Sequence, residues 1–170
     1  MKQWQINLWY DARRVLIYHT HIRKTFGRLV NPYKAYNIVT DITLEEILKM
    51  KNDFNLQGVI LDMDGTIKHY RNGVSEENKK WTEMLKQELK VCILSNSNQK
   101  LVEEVAIPLG LDYIYKARKP SEKGFVRALE KLNLEKENVV VIGDAFFGDI
   151  IGAKRIGLKI LTVNDLNEKR

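Results

Sequence analysis

The feature that most constrains the fold of this chain is a regular alternation of short apolar runs with amphipathic segments of helical period. The apolar runs are typical of β-strands and cover residues 58–62, 90–95, 113–116, 138–143 and 159–163. The segments with helical spacing lie near residues 75–89, 99–107, 121–132 and 149–156. Because the runs are continuously apolar, we expect strands covered on both faces. The sequence therefore predicts a Rossmann-like, three-layer α/β/α fold with a mostly parallel sheet.

Two smaller signals refine this expectation. Thr43 and Glu46 have the spacing of a capping box, which predicts that a helix begins beside Thr43. The single cysteine, Cys92, lies in a strand-like run, and we interpret it as a small buried apolar residue. No apolar run reaches the roughly 20 residues of a transmembrane helix. A reducing, cytoplasmic-type compartment fits these features.

Polar residues follow four of the apolar runs, at the points where the strands are expected to end. In chain order they are Asp62 with Asp64, Ser95 with Asn96, Lys119, and Asp144 followed by Asp149. The carboxyl ends of parallel strands meet at one edge of a sheet, which is where ligands bind in such folds. If the first strand continues through Asp64, side chains 62 and 64 point the same way. The sequence therefore predicts one site built from several carboxylates, a hydroxyl and an amine.

Carboxylate oxygens without histidine or cysteine favour a hard cation, of which Mg²⁺ is the default. Such an ion would offset the repulsion between Asp62 and Asp64, and it would neutralise phosphoryl oxygens. A carboxylate can attack phosphorus to form an acyl phosphate, while a second carboxylate exchanges protons with the leaving group and with water. Ser95 and Lys119 are suited to bind the equatorial oxygens of the phosphoryl group.

Each group alone also has an ordinary structural explanation. The sequence from Asp62 to Thr66 is compatible with a simple turn, and Ser95 with a helix cap. Lys119 alone fits a solvated loop, and the pair Asp144 and Asp149 fits a turn followed by a cap. These explanations do not account for the fact that all four groups lie at successive strand ends.

The ordered set resembles the four motifs of the haloacid dehalogenase-like (HAD) phosphohydrolases, over roughly residues 56–165. The resemblance implies that Asp62 is the nucleophile and that Asp64 is the general acid and base. It implies a phosphate site at Thr66, Ser95, Asn96 and Lys119. It implies Mg²⁺ ligation by Asp62, Asp64, Asp144 and Asp149, with a main-chain carbonyl of the second aspartate completing the site.

Within that family the chain is most similar to the YqeG-like branch (class III-A), which also includes the fungal mitochondrial phosphatidylglycerophosphatases. The similarity is carried by residues 93–120 and 139–163 and by the helix start after Asp41. Three positions depart from the branch, since Asn is expected at Gly65, Gln at Ala145 and Thr at Gly148. The last two departures affect the loop that surrounds the metal and bear on the role of Asp149.

The spacing of the motifs leaves no room for a cap domain, so we expect an open site of the C0 type. Residues 66–95 have space for a flap and one helix, and residues 95–119 for one helix and one strand. A site without a lid does not enclose a small metabolite. It suits a phosphate displayed on a lipid headgroup, a nucleic-acid end or a phosphoprotein.

Residues 1–34 form a second expected unit, a basic amphipathic arm that precedes a phosphatase domain at residues 35–170. The arm contains seven Lys and Arg residues and one Asp, which accounts for the whole net charge of +6. Apolar residues recur from Leu8 to Leu29 with helical spacing, beside aromatic residues. Docking on an anionic membrane is the favoured interpretation. Packing on the domain and a transit peptide are alternatives.

We therefore expect a Mg²⁺-dependent phosphomonoesterase, peripheral to a membrane on its cytoplasmic side or, alternatively, in the mitochondrial matrix. The family resemblance makes phosphatidylglycerophosphate the leading substrate, in phosphatidylglycerol synthesis. The alternatives are a phosphatase for nucleic-acid ends or phosphoproteins, docked by the arm, and an adaptor without activity. A nucleic-acid partner is the weaker of the binding expectations, and it predicts steeply salt-dependent binding.

Overall fold

A computed structural model describes residues 32–167 of the chain, and its centre is a six-stranded sheet in which all neighbouring strands are parallel. The order of the strands is β1-β8-β7-β2-β5-β6. Their bounds are β1 Lys34–Ala35, β2 Gly58–Leu61, β5 Lys90–Leu94, β6 Asp112–Ile114, β7 Val139–Gly143 and β8 Lys159–Thr162. The remaining two strands form an antiparallel hairpin and are β3 Lys68–His69 and β4 Gly73–Val74.

The helices connect these strands in the expected rhythm. They are α1 Leu44–Phe54, α2 Glu76–Glu88, α3 Gln99–Leu109, α4 Glu122–Leu132 and α5 Ile151–Arg155. Two 3₁₀ turns lie at Val39–Asp41 and Lys136–Asn138, and a π-helical turn at Phe146–Ile150 precedes α5. The predicted α/β class with a mostly parallel sheet is confirmed.

Local sequence signals account for the starts of the main helices. The amide of Glu46 donates to Thr43 Oγ1 while the amide of Thr43 donates to Glu46 Oε2, so the predicted capping box is present. Ser75 and Asn98 accept in the same way from the third residue of α2 and α3. The side chains of Thr43, Ser75 and Asn98 therefore fix the N-termini of α1, α2 and α3.

Alternate side chains of the central strands enter two separate cores, one on each side of the sheet. Val59 and Leu61 of β2 pack in one core, which also contains the apolar residues of α1, α2 and α3. Ile60 of β2 packs in the other, with residues of α4 and α5 such as Phe125 and Ala153. Every one of these side chains is fully buried. This explains why the strands are apolar without interruption.

The register of the central strands brings their carboxyl ends to one level. Leu61, the last residue of β2, pairs with Ile93 of β5 on one side and with Ile142 of β7 on the other. The strand ends one residue earlier than predicted, so Asp62 and Asp64 do not lie on one continuous strand. The segments that follow β2, β5 and β7 therefore leave the sheet side by side.

The described chain has only small elements at this edge. Residues 68–74, which we call the flap, form the β3–β4 hairpin, and α2 alone separates the flap from β5. Between residues 32 and 167 no helix is long and apolar enough to cross a bilayer. The predicted arm lies outside the described residues except for its last three positions. Lys34 of that group belongs to β1, and the division of the chain at residue 34 stays a prediction.

Candidate active site

Asp62 lies directly beyond the end of β2, in the centre of the edge where the strands end. Its amide donates to the carbonyl of Ile142, which continues the pairing with β7 by one residue. Lys119 Nζ lies 2.5 Å from Asp62 Oδ1, and the hydroxyl of Thr66 lies 3.0 Å from Asp62 Oδ2. Asp62 is only 7% exposed. Both carboxylate oxygens therefore have a fixed partner in a nearly dry site.

Lys119 reaches this carboxylate from the loop that follows β6. The side chain of Asn96 fixes its backbone, because Asn96 Oδ1 accepts from the Lys119 amide and Asn96 Nδ2 donates to the Lys119 carbonyl. Burial opposes the charge on Lys119, but the carboxylates of Asp149 and Asp62 outweigh burial and hold the pKa of Lys119 above its ordinary value. Lys119 is therefore a permanent cation in the site.

Asp149 is the second partner of this cation, with its Oδ1 at 2.6 Å from Lys119 Nζ. The π-helical turn places it, since Ala145 O accepts from the amides of both Asp149 and Ile150. The sequence pattern predicted an α-helix from residue 149, and the wider turn was not visible in it. Burial, together with the charge of Asp62, raises the pKa of Asp149 to about 6. A side chain at Gly143 would meet the Asp149 carboxylate at 2.5 Å, so this close approach requires glycine.

Asp144 completes a cluster of three buried carboxylates. Thr66 Oγ1 lies 2.9 Å from Asp144 Oδ1, and one oxygen each of Asp62, Asp144 and Asp149 lie within 4.8 Å of one another. The hydroxyl of Thr66 carries one hydrogen, so it donates to Asp62 or to Asp144 at any moment. Among the described residues, Lys119 pairs with two of these three carboxylates, Asp62 and Asp149.

The donor set of this cluster fits a hard divalent cation. All three groups are carboxylates, and no histidine or cysteine of the described residues joins them. Carboxylates this close together repel one another, and a divalent cation would offset that repulsion. The residues that would hold Mg²⁺ are therefore Asp62, Asp144 and Asp149.

Asp64 belongs to a different set of contacts. Lys68 Nζ donates to Asp64 Oδ1 at 3.0 Å, and the hydroxyl of Ser97 donates to Asp64 Oδ2 at 2.7 Å. Its carboxylate is not one of the three clustered groups. A metal contact from this residue would therefore use its main-chain carbonyl, while its side chain stays available for proton transfer.

Ser95 and Asn96 were both expected to contact phosphate, and their contacts in the structure differ. Ser95 is 2% exposed, and its Oγ accepts from the Ser97 amide, so it lies at the end of β5 as expected. Asn96, for which a phosphate contact was expected, uses both ends of its side chain on the backbone of Lys119. It positions the lysine in this structure.

Lys68 and Ser97 are contacts of Asp64 that the sequence analysis did not assign. Lys68 reaches Asp64 through a tight turn, in which the amides of Thr66, Ile67 and Lys68 all donate to the carbonyl of Met63. Such a turn returns residue 68 to the side chain of residue 64. Ser97 lies two residues after Ser95, but nothing in its spacing distinguishes it from a helix-capping serine.

Comparisons with known proteins agree with this geometry. A family model described as haloacid dehalogenase-like hydrolase matches residues 74–157, a range that begins after Asp62. A probable phosphatase, YqeG, of Bacillus subtilis is 40% identical over 111 residues, which is 64% of each chain. The 3-deoxy-D-manno-octulosonate 8-phosphate phosphatase KdsC of Escherichia coli K12 is 28% identical over 117 residues, or 62% of each chain. The chain thus spans less than two thirds of the length of these relatives.

Solved structures show the same fold. An uncharacterized protein from Listeria monocytogenes serotype 4b superimposes with a TM-score of 0.53 at 25% sequence identity. The superposition covers 68% of the present chain and 85% of the Listeria chain. The arrangement of sheet and helices is therefore shared with a chain of mostly different sequence.

Proposed function

We propose that this chain, which belongs to the haloacid dehalogenase-like hydrolase family and to its YqeG-like branch, hydrolyses phosphomonoesters through an aspartyl phosphate on Asp62. The observation that carries the proposal is the cluster of three buried carboxylates around Lys119. A structural role alone does not explain why three carboxylates are buried close together at this edge of the sheet, because burying charged groups is unfavourable. A reaction of a phosphate bound to a cation does explain it.

In the first half of the reaction an oxygen of Asp62 attacks phosphorus. A bond forms between that oxygen and phosphorus, and the bond from phosphorus to the ester oxygen breaks. The departing oxygen takes a proton from the carboxyl group of Asp64, so an alcohol leaves and Asp64 becomes a carboxylate. Lys119 and Thr66 hold the two oxygens of Asp62 before the attack, which fixes the orientation of the nucleophile.

In the second half the carboxylate of Asp64 takes a proton from water. The oxygen of that water attacks phosphorus, the bond to Asp62 breaks, and inorganic phosphate leaves with Asp62 restored. Asp64 then carries the proton needed for the next cycle. Its two contacts, Lys68 and Ser97, fix the orientation of its carboxylate.

The other polar residues assist these steps. In this proposal Lys119 and the buried hydroxyl of Ser95 bind oxygens of the phosphoryl group, and Asn96 holds Lys119 in place. Asp62, Asp144 and Asp149, with the main-chain carbonyl of Asp64, would hold Mg²⁺, which would supply positive charge that offsets the repulsion between nucleophile and substrate. Thr66 links Asp62 to Asp144 through its hydroxyl.

For the substrate we propose a phosphate carried on a membrane lipid, with phosphatidylglycerophosphate as the first to test. Two observations support this proposal. The elements between Asp64 and Lys119 are only the flap, α2, α3 and two strands, which leaves the site without a cap. In addition, residues 1–34 carry the whole net positive charge of the chain, as expected of a segment that binds anionic lipid. Phosphatidylglycerol synthesis at the cytoplasmic face of a membrane, or in the mitochondrial matrix, would be the setting.

The test is phosphate release from a panel of substrates, with Mg²⁺ and with a chelator. The panel contains phosphatidylglycerophosphate in vesicles, a sugar phosphate, a nucleotide and a 5′-phosphorylated oligonucleotide. Asp62→Asn should abolish release, whereas Asp53→Asn, at an exposed position of α1, should leave it unchanged. Turnover of the soluble phosphates alone would contradict the lipid proposal. Release by Asp62→Asn at the wild-type rate would contradict the mechanism.

A further inference from the structure

The chain after β8 returns to the candidate active site, which no motif of the sequence indicates. The amide of Val163 donates to the carbonyl of Gly143, so this segment runs beside the end of β7. Residues 165–167, which we call the C-terminal clamp, then turn towards the loop that carries Asp64. The side chain of Asp165 stabilises this turn, because its Oδ1 accepts from the amide of Asn167 at 2.8 Å and from Asn167 Nδ2 at 2.7 Å.

Two hydrogen bonds join the clamp to the chain around Asp64. The amide of Leu166 donates to the carbonyl of Gly65 at 2.8 Å, immediately after Asp64. The amide of Tyr70, in the flap, donates to Asn167 Oδ1 at 3.0 Å. The clamp is therefore hydrogen-bonded to Gly65 and Tyr70, which lie on either side of Lys68 in the chain. The ammonium group of Lys68 contacts Asp64.

The clamp is also packed closely against the acidic cluster. Asp165 is buried, and a Cβ atom at Gly65 would lie 2.8 Å from Asp165 Oδ1 and 2.9 Å from Asp144 Oδ2. Both carboxylate oxygens thus border a space that admits only a glycine. Gly65 has a φ of +89°, which also favours glycine. The side chain of Asp165 in the clamp consequently lies close to the main chain of the loop formed by residues 62–67.

We infer that the C-terminal clamp is a further positioning element of the reaction, in which Asn167 and the amide of Leu166 hold Asp64 and Lys68 in place for proton transfer. The inference rests on the proposed function only in the role that it gives to Asp64 as the general acid. It gives a role in the reaction to residues 165–167, which lie outside the four motifs. The hydrogen bonds of Asn167 go to the Tyr70 amide and to Asp165, so Asn167 acts on Lys68 and Asp64 through the flap.

A general acid matters most when the leaving group is poor. An alkyl phosphate such as glycerol 3-phosphate needs a proton on its departing oxygen, whereas p-nitrophenolate leaves without one. The ratio of kcat/KM for the two substrates therefore reports on the placement of Asp64, because kcat/KM covers the steps up to the first irreversible one. Damage to the fold or to the phosphate site lowers both values together and leaves the ratio unchanged.

The experiment compares Asn167→Ala with Asn164→Ala in the full chain. Asn164 belongs to the same segment, but its side chain contacts Asn37, away from the flap. We expect Asn167→Ala to lower kcat/KM for glycerol 3-phosphate by about 10-fold or more, since small displacements of catalytic groups have effects of this size. We expect a change of less than about 2-fold for p-nitrophenyl phosphate, whose leaving group needs little acid assistance. Asn164→Ala should leave the ratio at the wild-type value.

Amide hydrogen exchange supplies a readout that does not depend on activity. The Tyr70 amide should lose protection in Asn167→Ala and keep it in Asn164→Ala, because only the first variant removes its acceptor. An equal loss of kcat/KM for both substrates, or unchanged protection at Tyr70, would overturn the inference. If the wild type releases phosphate from neither of these substrates nor from any member of the panel described above, the proposed function fails, and exchange at Tyr70 alone decides whether the clamp holds the flap.

Discussion

Lys119 Nζ lies 2.5 Å from Asp62 Oδ1, and it reaches Asp149 Oδ1 at 2.6 Å in the same position. All three side chains are almost completely removed from solvent. A single ammonium group thus compensates two carboxylates that belong to different strand ends. The contact orients the carboxylate of Asp62 and connects the loop after β6 to the chain that follows β2 and β7.

Removal of this cation should strongly destabilise the protein in the absence of metal. Lys119→Met keeps most of the side-chain volume but removes the cationic partner of two buried carboxylates, which should lower the free energy of unfolding by about 3–5 kcal/mol. Urea denaturation in a chelator measures the loss, with Lys123→Met at an exposed position of α4 as the control. A loss as small as that of the control would show that the ion pair contributes little.

The stability of the metal-free protein should depend on pH through Asp149. Burial and the charge of Asp62 raise the pKa of Asp149 to about 6 from an ordinary value of 3.8, so the folded state binds this proton more tightly than the unfolded chain does. The stabilising contribution is therefore complete below pH 3.8 and is lost as the pH rises through about 6.

Asp149→Asn tests this contribution. The urea midpoint of the wild type should fall relative to that of Asp149→Asn between pH 4 and pH 6.5, because the amide does not titrate. Both proteins are compared in chelator. Parallel pH profiles for the two proteins would contradict the assignment.

Gly65 and Gly73 form a matched pair for the crowding beside the acidic cluster. Both have positive φ, but a Cβ at Gly73 would meet nothing within 4 Å, whereas one at Gly65 would meet Asp144 and Asp165. Gly73→Ala should therefore cost about 1–2 kcal/mol from the backbone alone. Gly65→Ala should cost about 1–3 kcal/mol more from overpacking, and it should lower turnover by displacing Asp144. Equal unfolding free energies for the two variants would show that the close approach relaxes freely.

Cys92 should be inert in the folded protein. Burial raises the pKa of its thiol to about 12, and the side chain is fully buried between the sheet and α4. Ellman's reagent at pH 8 should react with it only after urea is added, since the thiolate is the reactive form. Rapid stoichiometric reaction of the native protein would show that this part of the core opens readily.

The main elements of the fold were predictable because they depend on local patterns. The five apolar runs became β2 and β5 to β8 within one or two residues, and the capping box of Thr43 formed as expected. The edge strand β1 and the flap strands were not predicted, because each contains only two residues and no periodicity appears over so short a length.

The residues that form the candidate site were largely predictable, whereas the contacts between them were less so. Parallel strand order brings Asp62 and Asp144 to one edge, together with the start of the loop that carries Lys119. The separation of Asp64 from the carboxylate cluster depends on the turn at Gly65, and the role of Asn167 depends on a contact across almost 100 residues of sequence. Neither relationship leaves a local pattern in the chain.

The most direct test of the central claim, that Asp62 is the nucleophile, is a crystal structure of the protein with Mg²⁺ and beryllium fluoride. Beryllium fluoride mimics a phosphoryl group, and its beryllium atom binds an oxygen of the attacking carboxylate. We predict beryllium joined to a carboxylate oxygen of Asp62, with Lys119 contacting the fluorides and a cation beside Asp144 and Asp149. Beryllium fluoride on another side chain, or an unmodified Asp62 with no cation in the cluster, would contradict the account.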